Sequence, residues 1–146
     1  VTATTATFES ICGSKMANTN SMNEVSGRPI LGLLQRRFVA ATCYSFAGLV
    51  RVWQEEAFRV ETVVSLVLLP IAVWLPDNRL DCAMLVAALI AVLIVEVLNT
   101  AIEEAINRVG PELDPLSKTA KDLGSAAVLL AIAGAIAIWL LLLWPK

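Results

Sequence analysis

Four polar side chains interrupt an apolar helical pattern in the run VEVLNTAIEEAINRVG, residues 95–110: Glu96, Asn99, Glu103 and Asn107. Relative to Glu96, the others stand at +3, +7 and +11. At about 100° per residue, +7 and +11 return to within about 20° of the start, and +3 lies about 60° away. The four therefore form one stripe along a helix whose other faces are Val, Leu, Ile and Ala. Glu96 follows an uncharged run over residues 82–95, which puts it near or just inside a membrane boundary. An ionisable group there is costly and by default marks a functional site. A lone carboxylate could simply snorkel or pair with one basic neighbour. The whole stripe favours a polar, metal-binding active site.

Other charged side chains gather at the same end of the spans. They are Glu55, Glu56, Glu61, Glu104, Glu112, Asp114 and Asp122, with Arg37, Arg59, Lys118 and Lys121. Carboxylates without histidine or thiolate clusters suit a hard ion such as magnesium, which bridges carboxylates and substrate phosphates. Lysine and arginine beside them would complete a polyphosphate site. A separate carboxylate near the lipid surface could accept a proton from a hydroxyl nucleophile. Phosphoryl transfer needs mainly positioning and charge neutralisation, so a very small protein can perform it. Neither a GxxxxGK[ST] loop nor a kinase Gly-rich loop is present, so any nucleotide site is of another type.

The elements that must position these groups are read from composition and periodicity. The chain has 146 residues, 58% hydrophobic, with no histidine and a mean hydropathy of +0.74. The apolar share exceeds that of an ordinary soluble domain. The length allows about three bilayer crossings plus one amphipathic segment, and leaves no room for a large soluble catalytic domain. A net charge of -2 supplies no basic face for phosphate backbones, so nucleic acid is not an expected partner. Cys12, Cys43 and Cys82 are isolated and read as small apolar fillers, without a zinc site or a disulfide framework.

Residues 1–27 are rich in Thr, Ser, Asn and Ala and read as a disordered extension, with Met16 a possible natural start. No signal peptide pattern opens the chain. The helical membrane part covers 28–146. Residues 30–54 mix apolar and basic side chains at helical spacing, as in a helix lying in the membrane interface. The first span is expected at about 57–75, kinked at Pro70 with Trp74 at the far interface. A tight turn at 76–79 leads to a second span over about 80–107, which carries the stripe. Gly110 and Pro111 end it, a polar loop follows, and the third span covers about 123–144. There Ala127, Ala131 and Ala135 recur beside Gly134, a face suited to close helix packing. Basic residues Arg28, Arg36, Arg37, Arg51, Arg59, Arg108, Lys118 and Lys121 lie on one side, against Arg79 and Lys146. The positive-inside rule then puts the N-terminus in the cytoplasm and the C-terminus outside.

The runs EEAFRVE (55–61), VEVLNTAIEEAINRVG (95–110) and KTAKDLGSAAVL (118–129) resemble the bacterial integral-membrane diacylglycerol kinase family. RFVAATCYSFAGL (37–49) does so more loosely. The similarity covers roughly residues 28–144, and its pairing of E-x-x-N-x-x-x-E with A-K-D-x-G-S-A-A is highly specific. It implies an all-α membrane protein of the bacterial inner membrane, with three transmembrane helices and an N-terminal amphipathic surface helix, assembled as a homotrimer. The implied reaction moves the γ-phosphate of ATP, with magnesium, to the free hydroxyl of diacylglycerol, giving phosphatidate.

By the same resemblance, Glu96 matches the proton acceptor, and Glu55 and Glu103 the metal-binding carboxylates. Arg37, Tyr44, Lys121 and Asp122 match nucleotide contacts, as does the loop of Glu112, Leu113 and Asp114, while Glu55 and Glu103 also face the nucleotide. The lipid substrate side matches Arg37, Trp53, Phe58, Arg59, Glu61, Glu96, Asn99 and Ser125. Three departures stand out. Asn107 replaces an aspartate and removes a charge beside the site. A one-residue slip leaves Glu55 and Glu56 competing for one metal role, with the spacing back from Phe58 favouring Glu55. The 27-residue front extension has no counterpart in the family.

A close variant of this reading is phosphorylation of undecaprenol by the same fold. A reading of another class is a small non-enzymatic ion-translocating or assembly subunit with Glu96 as its relay carboxylate. That one gives no reason for the Lys121–Asp122 pair.

Overall fold

The computed structural model describes residues 29–108 and 115–144, together with residues 10 and 14. The loop positions Glu112, Leu113 and Asp114 and the expected extension over 1–27, apart from residues 10 and 14, lie outside the described residues. The chain divides into two compact units, residues 1–53 and 54–146.

The first unit holds helix α1, Pro29–Val52. Proline suits a first helical position because its missing N–H would have no partner there, and Arg51 in the last turn complements the helix dipole. Phe38, Tyr44, Phe46 and Leu49 are all exposed, so this helix carries a large apolar surface. Cys43 is disulfide-bonded and Cys82 is a free thiol. The expectation of three plain fillers is thus corrected at Cys43: a bond between distant cysteines leaves no trace in local spacing.

The second unit holds α2, Glu56–Trp74, α3, Arg79–Asn107, and α4, Pro115–Leu143. All three are long and apolar enough to cross a membrane. Helix α3 is the centre: it packs extensively on α4 and on α2. Its start is fixed by Asn78, whose side-chain oxygen accepts from the Asp81 N–H at 2.8 Å while its amide donates to Asp81 Oδ2 at 2.6 Å. Such a cap satisfies one of the orphan donors of the first turn. Pro70 sits inside α2, where it can donate no hydrogen bond to the carbonyl four residues back.

Buried side chains on α3 are Leu85, Ala88, Leu89, Val92, Glu96 and Thr100. Their spacing of three and four keeps them on one face. Outward, α2 and α4 expose Val67, Leu130 and Leu141, as a helix bathed in hydrocarbon does. Inside-out amphipathicity of this kind is the mark of a membrane bundle rather than a water-soluble one.

One expectation about α4 needs correction. The polar stretch read as loop is already helical from Pro115, eight residues ahead of the apolar span. Hydropathy marks where a helix enters lipid, not where it starts. Within the chain, the close approach of α4 to α3 falls at buried Gly124.

Candidate active site

Glu96 is only 4% exposed although it lies in the middle of an apolar helix. The core stripe of α3 runs straight into it from Leu89 and Val92, so the same geometry that buries valine buries this carboxylate. Thr100, one turn further, is the other buried polar residue among those described. The carboxylates of Glu103 and Glu55 lie within electrostatic range of Glu96, and Glu96 in turn within range of Glu61. Four acidic side chains from two helices thus share one end of the bundle. Like charges this close are tolerated only where protons, cations or a cationic ligand offset them.

Glu55 holds its place as the residue capping α2: its backbone is extended (φ -75°, ψ 132°), and its carbonyl accepts the Arg59 N–H at 3.3 Å. Glu55 is half-buried while Glu56 is exposed. Glu55 lies within electrostatic range of Glu96.

Asn99 links α3 to α4. Its amide Nδ2 donates to Glu103 Oε1 at 3.3 Å, while its Oδ1 is buried without a hydrogen-bond partner. Gly124 packs against that oxygen, and a β-carbon there would collide with it. At the end of the stripe, Asn107 Oδ1 accepts a 2.8 Å hydrogen bond from Lys121 Nζ. Of the stripe read from the sequence, Asn99 and Glu103 are bonded within α3 and Asn107 is bonded across to Lys121 of α4.

Below the acidic cluster a groove of about 610 Å³ opens between the helices, lined by Glu61, Ser65, Leu68, Val92, Trp139 and Trp144 among others. Its walls are almost wholly apolar. The exceptions are informative: Glu61 Oε2 and Trp139 Nε1 are both buried without partners. An acceptor and a donor left unsatisfied in one apolar groove are costly in isolation.

The remaining expected residues are distributed less tightly. Phe58 is buried at 6%, whereas Arg59, Asp122 and Ser125 are exposed. Arg37, Tyr44 and Trp53 are exposed members of the first unit. Sequence reasoning missed Gly124, Trp139 and the Asn107–Lys121 bond. A glycine one turn after Lys121 was a visible signal for the first; nothing in the sequence pointed to the others.

Among the described residues no group of three Asp, Glu, Cys or His side chains converges as a metal cage. The donors that do approach one another are hard carboxylate oxygens. They fit an ion that completes its coordination with water and substrate phosphates, which is the habit of magnesium.

Residues 43–143 match the family model described as prokaryotic diacylglycerol kinase. The chain is 45% identical over 109 residues to the diacylglycerol kinase of Escherichia coli (strain K12), covering 74% of this chain and 89% of that protein. Against the diacylglycerol kinase of Pseudomonas aeruginosa, identity is 42% over 105 residues, 71% of this chain and 85% of the relative. Against that of Helicobacter pylori (strain J99) it is 33% over 105 residues, 71% and 82%.

Proposed function

The chain belongs to the prokaryotic diacylglycerol kinase family, and from that premise we propose that it transfers the γ-phosphate of ATP to the hydroxyl of diacylglycerol at the cytoplasmic edge of the membrane. The products are phosphatidate and ADP. The observation that carries this reading is the buried carboxylate of Glu96, with Glu103, Glu55 and Glu61 in electrostatic range.

In this mechanism Glu96 accepts the proton of the lipid hydroxyl as its oxygen bonds to the γ-phosphorus. The bond from that phosphorus to the β–γ bridging oxygen breaks, and ADP leaves with the electron pair. Glu55 and Glu103 would hold a magnesium ion, which when bound neutralises charge on the phosphate oxygens. Lys121 and Asp122 contact the nucleotide. Asn99 keeps the Glu103 carboxylate oriented. The apolar groove beside Glu61 suits an acyl chain, with Trp53, Phe58, Arg59 and Ser125 on the lipid side. Burial of the reacting end excludes water as a competing acceptor.

The distribution of basic residues supports an orientation with the N-terminus and the 108–122 segment in the cytoplasm. The family resemblance supports a homotrimer, which the mass of the detergent-solubilised particle would test. Purified protein in mixed micelles should form ADP from ATP only when diacylglycerol and magnesium are both present. Undecaprenol assayed beside it decides the acceptor. ADP formation at equal rates without any lipid alcohol would overturn the proposal.

A further inference from the structure

The last residue of α3 holds a cation that belongs to α4. Asn107 Oδ1 accepts from Lys121 Nζ at 2.8 Å across fourteen residues of chain, joining the C-terminal turn of one span to the second turn of the next. Asn107 is exposed and Lys121 half-buried, so the ammonium is drawn inward from one side by an amide. Asn107 is the partner the structure gives Lys121 among the described residues.

The chemistry of that partner is decisive. An amide oxygen fixes one of the three donors of an ammonium group and leaves its full positive charge and two donors unspent. A carboxylate in the same position would fix the same donor but cancel the charge. Lysine is a long, flexible side chain with substantial rotamer freedom, so an unheld ammonium at an exposed helix end samples many positions. The neighbourhood, with Glu103 one turn away from Asn107 on α3, is acidic, and a neutral holder keeps Lys121 from being captured by it. The Lys121 ammonium is thereby held with its charge retained.

We propose that Asn107 is a positioning residue: it holds the Lys121 ammonium, charged and oriented, for the phosphates of the nucleotide donor. This rests on the reading of Lys121 as a nucleotide contact. Asn107 touches no reacting atom, so its influence falls on nucleotide binding rather than on the transfer step.

The test is a double-mutant cycle in detergent-solubilised full-length protein, reading KM for ATP, kcat, and the Kd of a non-hydrolysable ATP analogue. Asn107→Ala removes the acceptor; Asn107→Asp keeps it and adds a charge. The Ala variant should raise KM for ATP and the analogue Kd by roughly three- to fivefold, the size of an exposed charge interaction, with kcat within about twofold. The Asp variant, which keeps an acceptor for the ammonium, should bind nucleotide better than the Ala variant. In a Lys121→Met background neither substitution should change nucleotide binding further, because coupled residues are not additive. Asn107→Gln, with the same acceptor on a longer arm, should recover part of the loss.

If the Asn107 variants leave nucleotide binding unchanged while Lys121→Met weakens it, the positioning role is wrong and the reading of Lys121 stands. If Lys121→Met itself leaves binding unchanged, the nucleotide contact fails first. A fall in kcat with unaltered KM, or an equal effect in both backgrounds, would show Asn107 to be structural and overturn the inference.

Discussion

Gly124 of α4 leaves no room for a β-carbon beside the amide oxygen of Asn99 on α3. Two transmembrane helices therefore meet at a hydrogen atom, and the asparagine that this contact locates is the one that orients Glu103 at 3.3 Å. A glycine thus sets the position of a carboxylate on another helix.

Gly124→Ala should separate stability from activity. Alanine favours a helix over glycine by about 1 kcal/mol, while overpacking costs about 1–3 kcal/mol, so the two nearly offset and Tm should fall little. The displaced Asn99 must give up its bond to Glu103, and kcat should drop by about tenfold or more, since small misplacements at a reacting site are expensive. Full activity in this variant would sink the account of the contact.

Glu96→Gln keeps shape and hydrogen-bonding capacity but cannot take a proton. A positioned general base contributes typically about 10²–10⁴-fold, and kcat should fall by that much with the protein still folded in micelles. Circular dichroism and gel filtration check the fold. Retained turnover would remove Glu96 from the reaction.

Glu61→Leu is expected to stabilise. Its Oε2 is buried without a partner, and an unsatisfied buried polar group costs about 1–3 kcal/mol. Leucine of similar bulk would line the apolar groove instead. Tm should rise, while KM for the lipid acceptor should rise with it, the usual exchange of stability against function at a site. A lower Tm would mean that Glu61 has a stabilising role the structure does not display.

Asn78→Ala removes the cap of α3, whose two bonds to Asp81 are 2.8 and 2.6 Å. The expected loss is about 1 kcal/mol, seen as a lower Tm. Glu96 lies eighteen residues along the same helix, about 27 Å away at 1.5 Å per residue, so kcat should hold. Asn78→Ser, which keeps a capping acceptor without adding a charge beside Asp81, should restore most of the stability.

Withholding magnesium gives a separate check on Glu55 and Glu103. If these carboxylates hold the ion, Glu103→Gln should raise the magnesium concentration for half-maximal activity by at least tenfold, with KM for lipid within about twofold. An unchanged magnesium requirement would move the ion elsewhere.

Hydropathy and period by themselves determined that three apolar helices follow an amphipathic one, and that Glu96, Asn99, Glu103 and Asn107 share a stripe. Those properties are local: burial in lipid is set by side-chain polarity, and a helix repeats every 3.6 residues whatever surrounds it. The early start of α4 at Pro115 was hidden because lipid entry and helix initiation obey different signals. Only tertiary structure decided that Asn99 bonds Glu103 while Asn107 bonds Lys121, that Glu55 lies within electrostatic range of Glu96, and that α4 closes on α3 at Gly124. Each depends on the distance between groups on different helices, or on how one helix end turns toward the next. Packing fixes such quantities, and no spacing along one strand of sequence encodes them.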